Sequence, residues 1–238
     1  MANLVLSIFP GIGMLDRAFE QEGFCLVRGP DLLWGGDIKE FHAPAGTFDG
    51  VIGGPPCQAF SRLVAVIRHR GHRIAANLIP EFERVVAEAQ PRWWIMENVD
   101  RAPLPSVPGY RVDPTLLNNR WLGQEQNRLH RFSFGTRDGR RLRYDVVRVE
   151  ALAYEPRVCA SGVTKPGADR RRSHRLKYLG WKTRAALAIA LKFQGLPANF
   201  LDRAPFTIQG KIAAVGNGVP LPVGREVARA VHRALAEG

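Results

Sequence analysis

Residues 48–62 read FDGVIGGPPCQAFSR, and the fold turns on how this stretch is built. Val51 and Ile52 follow Phe48 without helical spacing and two glycines end the run, which is the pattern of a short buried strand. Gly53, Gly54, Pro55 and Pro56 then stop helix and strand alike. Cys57, Gln58 and Ser61 therefore sit on a stiff turn at the carboxyl end of a strand, where open α/β sheets bind ligands. A lone cysteine is ordinarily a small buried hydrophobe. Burying a thiol needs no special backbone, however, whereas presenting a nucleophile needs a rigid, exposed one with donors or positive charge nearby. Cys57 is read as a candidate nucleophile.

Working outward, Leu4 to Phe9 is a strand, Pro10 to Gly13 a turn, and Met14 to Glu22 a helix, the opening of a nucleotide-type βαβ unit in which Gly11 and Gly13 admit a ligand. Leu26 to Arg28 is a second strand. Asp31, just past it, is suited to ribose hydroxyls or to a plain turn. Gly36, Asp37 and Ile38 form another short turn. Beyond Cys57, residues 61–73 carry Arg62, Arg68, Arg70 and Arg73 among small apolar residues, either a loop that closes over a phosphate backbone or a charged surface helix. Leu78, Ile79, Phe82, Val85, Val86 and Ala89 mark one helix face, with Pro80 in the first turn. Arg92 to Met96 is a buried strand, and Glu97 leaves the same sheet edge as Cys57. A partly desolvated carboxyl there can hold a proton and act as an acid, the plainer alternative being a strand-end ion pair. Alternation puts Arg128 and His130 on one face at the entry of the next strand, where both could reach an anion or a base carbonyl. Ala185 to Phe193 is a helix, Ala214 to Pro220 part of a loop region, and the last helix turns Val223, Val227, Ala230, Val231 and Ala234 inward.

Length bounds these readings. At 238 residues, with 45% hydrophobic residues, the chain suits one domain with a small appendage. Three cysteines without a CxxC pair argue against a disulfide framework and a zinc site, and favour a reducing, cytoplasmic setting. MANLVLSIFPGIG reads as a first core strand, not a signal peptide, and no apolar run approaches a membrane span. The net charge is +12, and residues 137–184 hold fourteen basic against five acidic residues, so nine of those twelve charges fall there. With few apolar runs and the cluster Arg170, Arg171 and Arg172, this segment reads as an irregular, loop-rich insertion that suits a polyanion better than a generic solvated face.

In order along the chain, FPGIG (9–13), the acid at 31, GD (36–37), GGPPCQAFS (53–61), ENV (97–99), QNR (126–128), QGLP (194–197) and VGNGVP (215–220) resemble the DNA cytosine methyltransferases that modify carbon 5. The resemblance implies a Rossmann-like α/β methyltransferase fold, a mostly parallel sheet with helices on both faces, formed by residues 1–136 and 185–238. Residues 137–184 take the place of a reduced target-recognition segment. It further implies that Cys57 adds to carbon 6 of cytosine, Glu97 protonates N3 and Arg128 binds O2. S-adenosyl-L-methionine would be lined by Phe9, Gly11, Gly13 and Asp31, by Asp37, Ile38, Pro56 and Leu78, and by Asn217 near its methionine end. Gln58, Ser61, Arg62, Arg68 and Arg70, with Arg170 to Arg172, would face double-stranded DNA, from which the target base is flipped. The implied protein is a monomer, with or without a cognate restriction enzyme, and needs no metal. An RNA cytosine methyltransferase and a catalytically idle binding relative are the competing classes. Departures from the family pattern are Ser7 for an aspartate, Met14 for a glycine, a shortcut from Asp31 to Asp37 in which Trp34 would stack on the adenine, and His130 for a second arginine, which predicts pH-sensitive activity.

Overall fold

The computed structural model describes residues 3–60, 76–150, 157–160, 162–165, 177–178 and 182–237. Six strands, β1 (Leu4–Ile8), β2 (Cys25–Arg28), β3 (Gly50–Gly53), β4 (Trp93–Asn98), β5 (Arg111–Asn118) and β6 (Leu129–Thr136), form one sheet in the order β2-β1-β3-β4-β6-β5. The first four run parallel; β6 lies antiparallel to β4, and β5 antiparallel to β6. β3 and β4 are continuous apolar runs because both faces are covered. On one face α1 (Met14–Gln21) and α5 (Leu221–Ala236) bury Phe19, Val223, Val227 and Val231 against Val5, Ile52, Trp93 and Ile95. On the other, α2 (Ile79–Ala89) packs Phe82, Val85 and Val86 against Leu6, Val51, Trp94 and Met96.

Two elements depart from the sequence reading. β5 escapes it because Pro114 interrupts the strand pattern; at the sheet edge a residue without an N–H costs no ladder bond. Residues 208–217, read within a loop region, form helix α4 (Ile208–Asn217), preceded by α3 (Arg184–Phe193). α4 has a diffuse apolar face and two glycines, so periodicity hides it, but Thr207 caps its start through Gly210 N–H.

The basic segment also behaves differently in its two halves. Residues 137–149 leave the far end of β6 and return along β5: Leu142 N–H donates to Asp113, the Tyr144 hydroxyl bonds Thr115, Asp145 N–H donates to Glu226 of α5, and Val147 N–H donates to the Trp121 carbonyl. Leu142, Tyr144 and Val146 join the main core there. Further on, β7 (Arg157–Cys159), β8 (Gly162–Lys165) and β9 (Lys177–Tyr178) make a small antiparallel sheet. Val158 of β7 packs with α3 and α4.

Candidate active site

β1, β3 and β4 all end at one sheet edge, and there the chain turns repeatedly on glycine and proline. After β1, Phe9 adopts φ 56°, a left-handed conformation that a non-glycine residue holds only when its surroundings enforce it. Gly13, at φ 73°, closes the turn with its N–H on the Pro10 carbonyl and starts α1. After β3, the Pro55 carbonyl accepts from Asn98 Nδ2 at 3.0 Å, so the ENV stretch anchors the loop that carries Cys57. Cys57 itself opens a short 3-10 turn, Cys57–Phe60.

These turns enclose a cavity of about 440 Å³. Phe9, Gly11, Asp31, Ile38, Pro56, Leu78 and Asn217 line it, and so do Cys57, Gln58 and Glu97. Gly13 and Asp37 do not: Gly13 shapes the turn, and Asp37 uses its carboxylate to cap the Ile38–Glu40 turn through Lys39 N–H at 3.0 Å. Trp34 is also absent from the wall. Its Nε1 donates to the Gly11 carbonyl at 2.6 Å and its ring leans on Phe206, so Leu32, Leu33 and Phe206 supply the apolar rim instead. Asp31 is already engaged, Oδ2 accepting from Gly11 N–H at 2.7 Å and Oδ1 from Leu33 N–H at 2.8 Å, which leaves each oxygen further lone pairs for a ligand.

Sequence reasoning marked Ser7 only as a departure and missed Asp16. Asp16 is fully buried on α1, lines the cavity, and accepts from Ser7 Oγ at 2.5 Å and from Arg28 Nε at 2.9 Å. Burial raises its pKa against the opposing pull of Ser7 and Arg28. The carboxylate absent at position 7 is thus present from the neighbouring helix, nine residues on, where an acid on a helix gives no local signal.

Cys57 is half-buried, and burial together with the Glu97 charge pushes its thiol up while Arg128 draws it down. Arg128 donates to the Val158 carbonyl at 3.2 Å, and burial lowers its pKa while Glu97, Cys57 and Cys159 raise it. It does not line the cavity wall, and neither does His130. His130 stands behind Glu97, with Nδ1 2.7 Å from Oε1, and the Glu97 carboxylate acts on both His130 and Arg128. Ser61, Arg62, Arg68, Arg70, Arg73 and Arg170 to Arg172 lie outside the described residues.

Among the described residues the cavity walls carry the carboxyl groups of Asp16, Asp31 and Glu97 and no lysine or arginine, in a chain of net charge +12. An acidic, glycine-turned, partly apolar cleft fits a cationic nucleoside such as S-adenosylmethionine better than a phosphate-bearing one. No group of three or more metal-ligating side chains occurs among the described residues.

The fold is that of the α/β methyltransferases. Across 99% of the chain the structure matches that of a DNA modification methyltransferase encoded in an Escherichia coli prophage, with a TM-score of 0.63 at 16% identity over that whole protein. It also matches the Schizosaccharomyces pombe Dnmt2 methyltransferase, with a TM-score of 0.61 at 11% identity, covering 98% and 99% of the two chains. The sequence profile of the C-5 cytosine-specific DNA methylases matches residues 35–105. A type II methyltransferase of Herpetosiphon aurantiacus, M.HgiGI, is 46% identical over 123 residues, 43% of this chain and 94% of that one. An orphan methyltransferase of Bacillus phage rho11s is 23% identical over 256 residues, 94% of this chain and 49% of its own. The chain belongs to the C-5 cytosine-specific DNA methylase family. It spans about half the length of the first curated relatives that it matches.

Proposed function

We propose that the protein methylates carbon 5 of cytosine in double-stranded DNA, with S-adenosyl-L-methionine as donor and the target base flipped out of the helix. The observation that carries this reading is that Cys57, on a loop anchored by Asn98, and Glu97, next to Asn98 at the end of β4, border one acidic cavity that begins at Phe9. Carbon 5 of cytosine is a poor nucleophile inside an aromatic ring. Bonding of Cys57 Sγ to carbon 6, with the Glu97 proton passing to N3, breaks that aromaticity and gives carbon 5 enamine character. Arg128 stabilises the thiolate and binds the base at O2. S-adenosylmethionine, bound along Phe9, Gly11, Asp31 and Asn217, supplies a methyl group made electrophilic by a sulfonium. The carbon 5 proton then passes to water as Sγ leaves as the thiolate, and N3 returns its proton to Glu97. A cysteine fixed on a prolyl loop cannot reach a stacked base, so flipping is part of the proposal.

Residues 1–136 and 185–238 form the catalytic part in this reading, with 137–149 attached to it by packing, and the remainder of the basic segment serves target recognition. The protein works as a monomer in a reducing cytoplasm, with or without a cognate restriction enzyme. No helix among the described residues is long and apolar enough to cross a membrane. Incubation with unmodified genomic DNA and methyl-labelled S-adenosylmethionine tests the proposal. Label is expected in 5-methylcytosine for wild type and in none for Cys57→Ala, and DNA containing 5-fluorocytosine is expected to remain covalently attached to Cys57. Transfer by Cys57→Ala, or label in RNA alone, would overturn it.

A further inference from the structure

Behind the cavity wall, Glu97 and His130 form a pair that the scheme above leaves unused. Glu97 points Oε2 toward the Cys57 loop, 3.1 Å from where a Cβ at Gly54 would stand, and gives Oε1 to His130 at 2.7 Å. His130 is only 4% exposed, its ring packs by Phe132, and its Nε2 is buried without a hydrogen-bond partner among the described residues. The charged groups bearing on the ring are Glu97 from β4 and Arg128 just ahead of β6. Glu97 favours an imidazolium, while Arg128 and burial disfavour it, and burial is the largest influence.

A neutral imidazole carries one N–H. With the hydrogen on Nδ1 it is donated to Glu97, and Nε2 keeps only a bare lone pair in apolar surroundings. With the hydrogen on Nε2 a donor would be buried without an acceptor, which is the costlier arrangement. The geometry therefore favours the Nδ1–H tautomer.

We propose that His130 is a positioning residue whose Nδ1–H holds Oε1 of Glu97 without supplying a permanent charge, leaving Oε2 to carry the proton that the base requires. The inference rests on the assignment of Glu97 as the acid at N3. In that step the Oε2–H bond breaks as N3–H forms, while Sγ bonds to carbon 6; the carboxylate left behind is held by Nδ1–H, and the proton returns to Oε2 when Sγ leaves. Nδ1–H is kept throughout, so His130 exchanges nothing with substrate. An arginine at 130 could hold the same oxygen, but its fixed charge would favour the carboxylate over the carboxyl group that donates to the base.

Initial rates of methyl transfer to unmodified genomic DNA, measured from pH 6 to 9.5, separate the two situations. The alkaline limb of wild type is expected to move down by about one pH unit in His130→Arg, because an opposite charge in contact lowers a carboxyl pKa by about 1–3 units. In His130→Gln, a neutral donor, it should keep its wild-type position. Long-range proton–nitrogen NMR of the wild-type protein should show His130 as the Nδ1–H tautomer, which decides the matter even where a variant fails to fold. An unmoved limb in a folded His130→Arg, or an Nε2–H tautomer, overturns the proposal. If wild type forms no adduct with 5-fluorocytosine DNA, the reading of the site fails and this inference with it. If the adduct forms and the limb does not move, His130 alone loses its role.

Discussion

Cys57 was legible from sequence because its neighbours are unusual: two glycines and two prolines fix a backbone that a merely buried thiol would not need. Asp16 and His130 were legible only as residues. Nothing local distinguishes an aspartate on an amphipathic helix, and its meeting with Ser7 depends on the turn angle set by Phe9 and Gly13. The burial of His130 behind Glu97 likewise follows from β4 and β6 lying antiparallel, with Glu97 opposite Phe132. That burial has a thermodynamic consequence. The unfolded chain takes up a proton at His130 near pH 6.5, whereas the folded chain, with its pKa lowered, refuses it. The unfolded state therefore binds more protons as pH falls through that value, and stability contributed above it is progressively lost below. Urea unfolding at pH 7.5 and 5.5 should show wild type losing more stability than His130→Gln over this interval. Equal losses would place the His130 pKa at its ordinary value.

Among elements, the QNR and QGLP stretches owe their roles to contacts that no spacing rule reveals. Gln126 and Gln194, both fully buried, are bonded to each other at 3.0 Å. Gln126 accepts from Val158 N–H of β7, and Gln194 donates to the carbonyls of Val215 and Gly218 at the end of α4. Two amides thus join the small sheet, α3 and α4 beside the catalytic edge, and an unpaired group in that relay would cost about 1–3 kcal/mol. Gly216 tests the same junction. Glycine within a helix is ordinarily about 1 kcal/mol worse than alanine, so Gly216→Ala would stabilise α4 taken alone. A Cβ at 216, however, would run into the Cys159 carbonyl group and Ala160 nitrogen of the chain leaving β7, an obstacle of backbone and not of a flexible side chain. Overpacking of this kind costs about 1–3 kcal/mol or more, so the clash outweighs the propensity gain. Gly216→Ala should melt a few degrees lower than wild type, given about 2–4 °C per kcal/mol for a chain of this size. A higher melting temperature would mean that β7 yields freely and that the junction is not close-packed.

For the whole molecule, composition shows how much positive charge there is but not which way it faces. The excess in residues 137–184 suggested a polyanion-binding segment in the place of target recognition. Yet β6 is antiparallel to β4, so its end at Thr136 lies opposite Trp93, at the edge remote from Cys57 and Glu97. Five residue steps of strand separate the two edges, on the order of 17 Å. Arg140 spends its charge there on Asp138 and on the carbonyls of Ala234 and Leu235, closing the last turn of α5. Arg141 and Arg143 are exposed near it, Arg143 only 4.0 Å from Glu237. A duplex seated over the cavity would lie too far away to use these side chains. Each phosphate contact contributes about 0.9 to the slope of log affinity against log salt concentration. The double variant Arg141→Gln, Arg143→Gln should therefore bind a short duplex with a salt slope within about half a unit of wild type, measured by fluorescence anisotropy. A slope reduced by nearly two units would show that duplex DNA reaches the far edge, and that the basic segment engages it along its whole length.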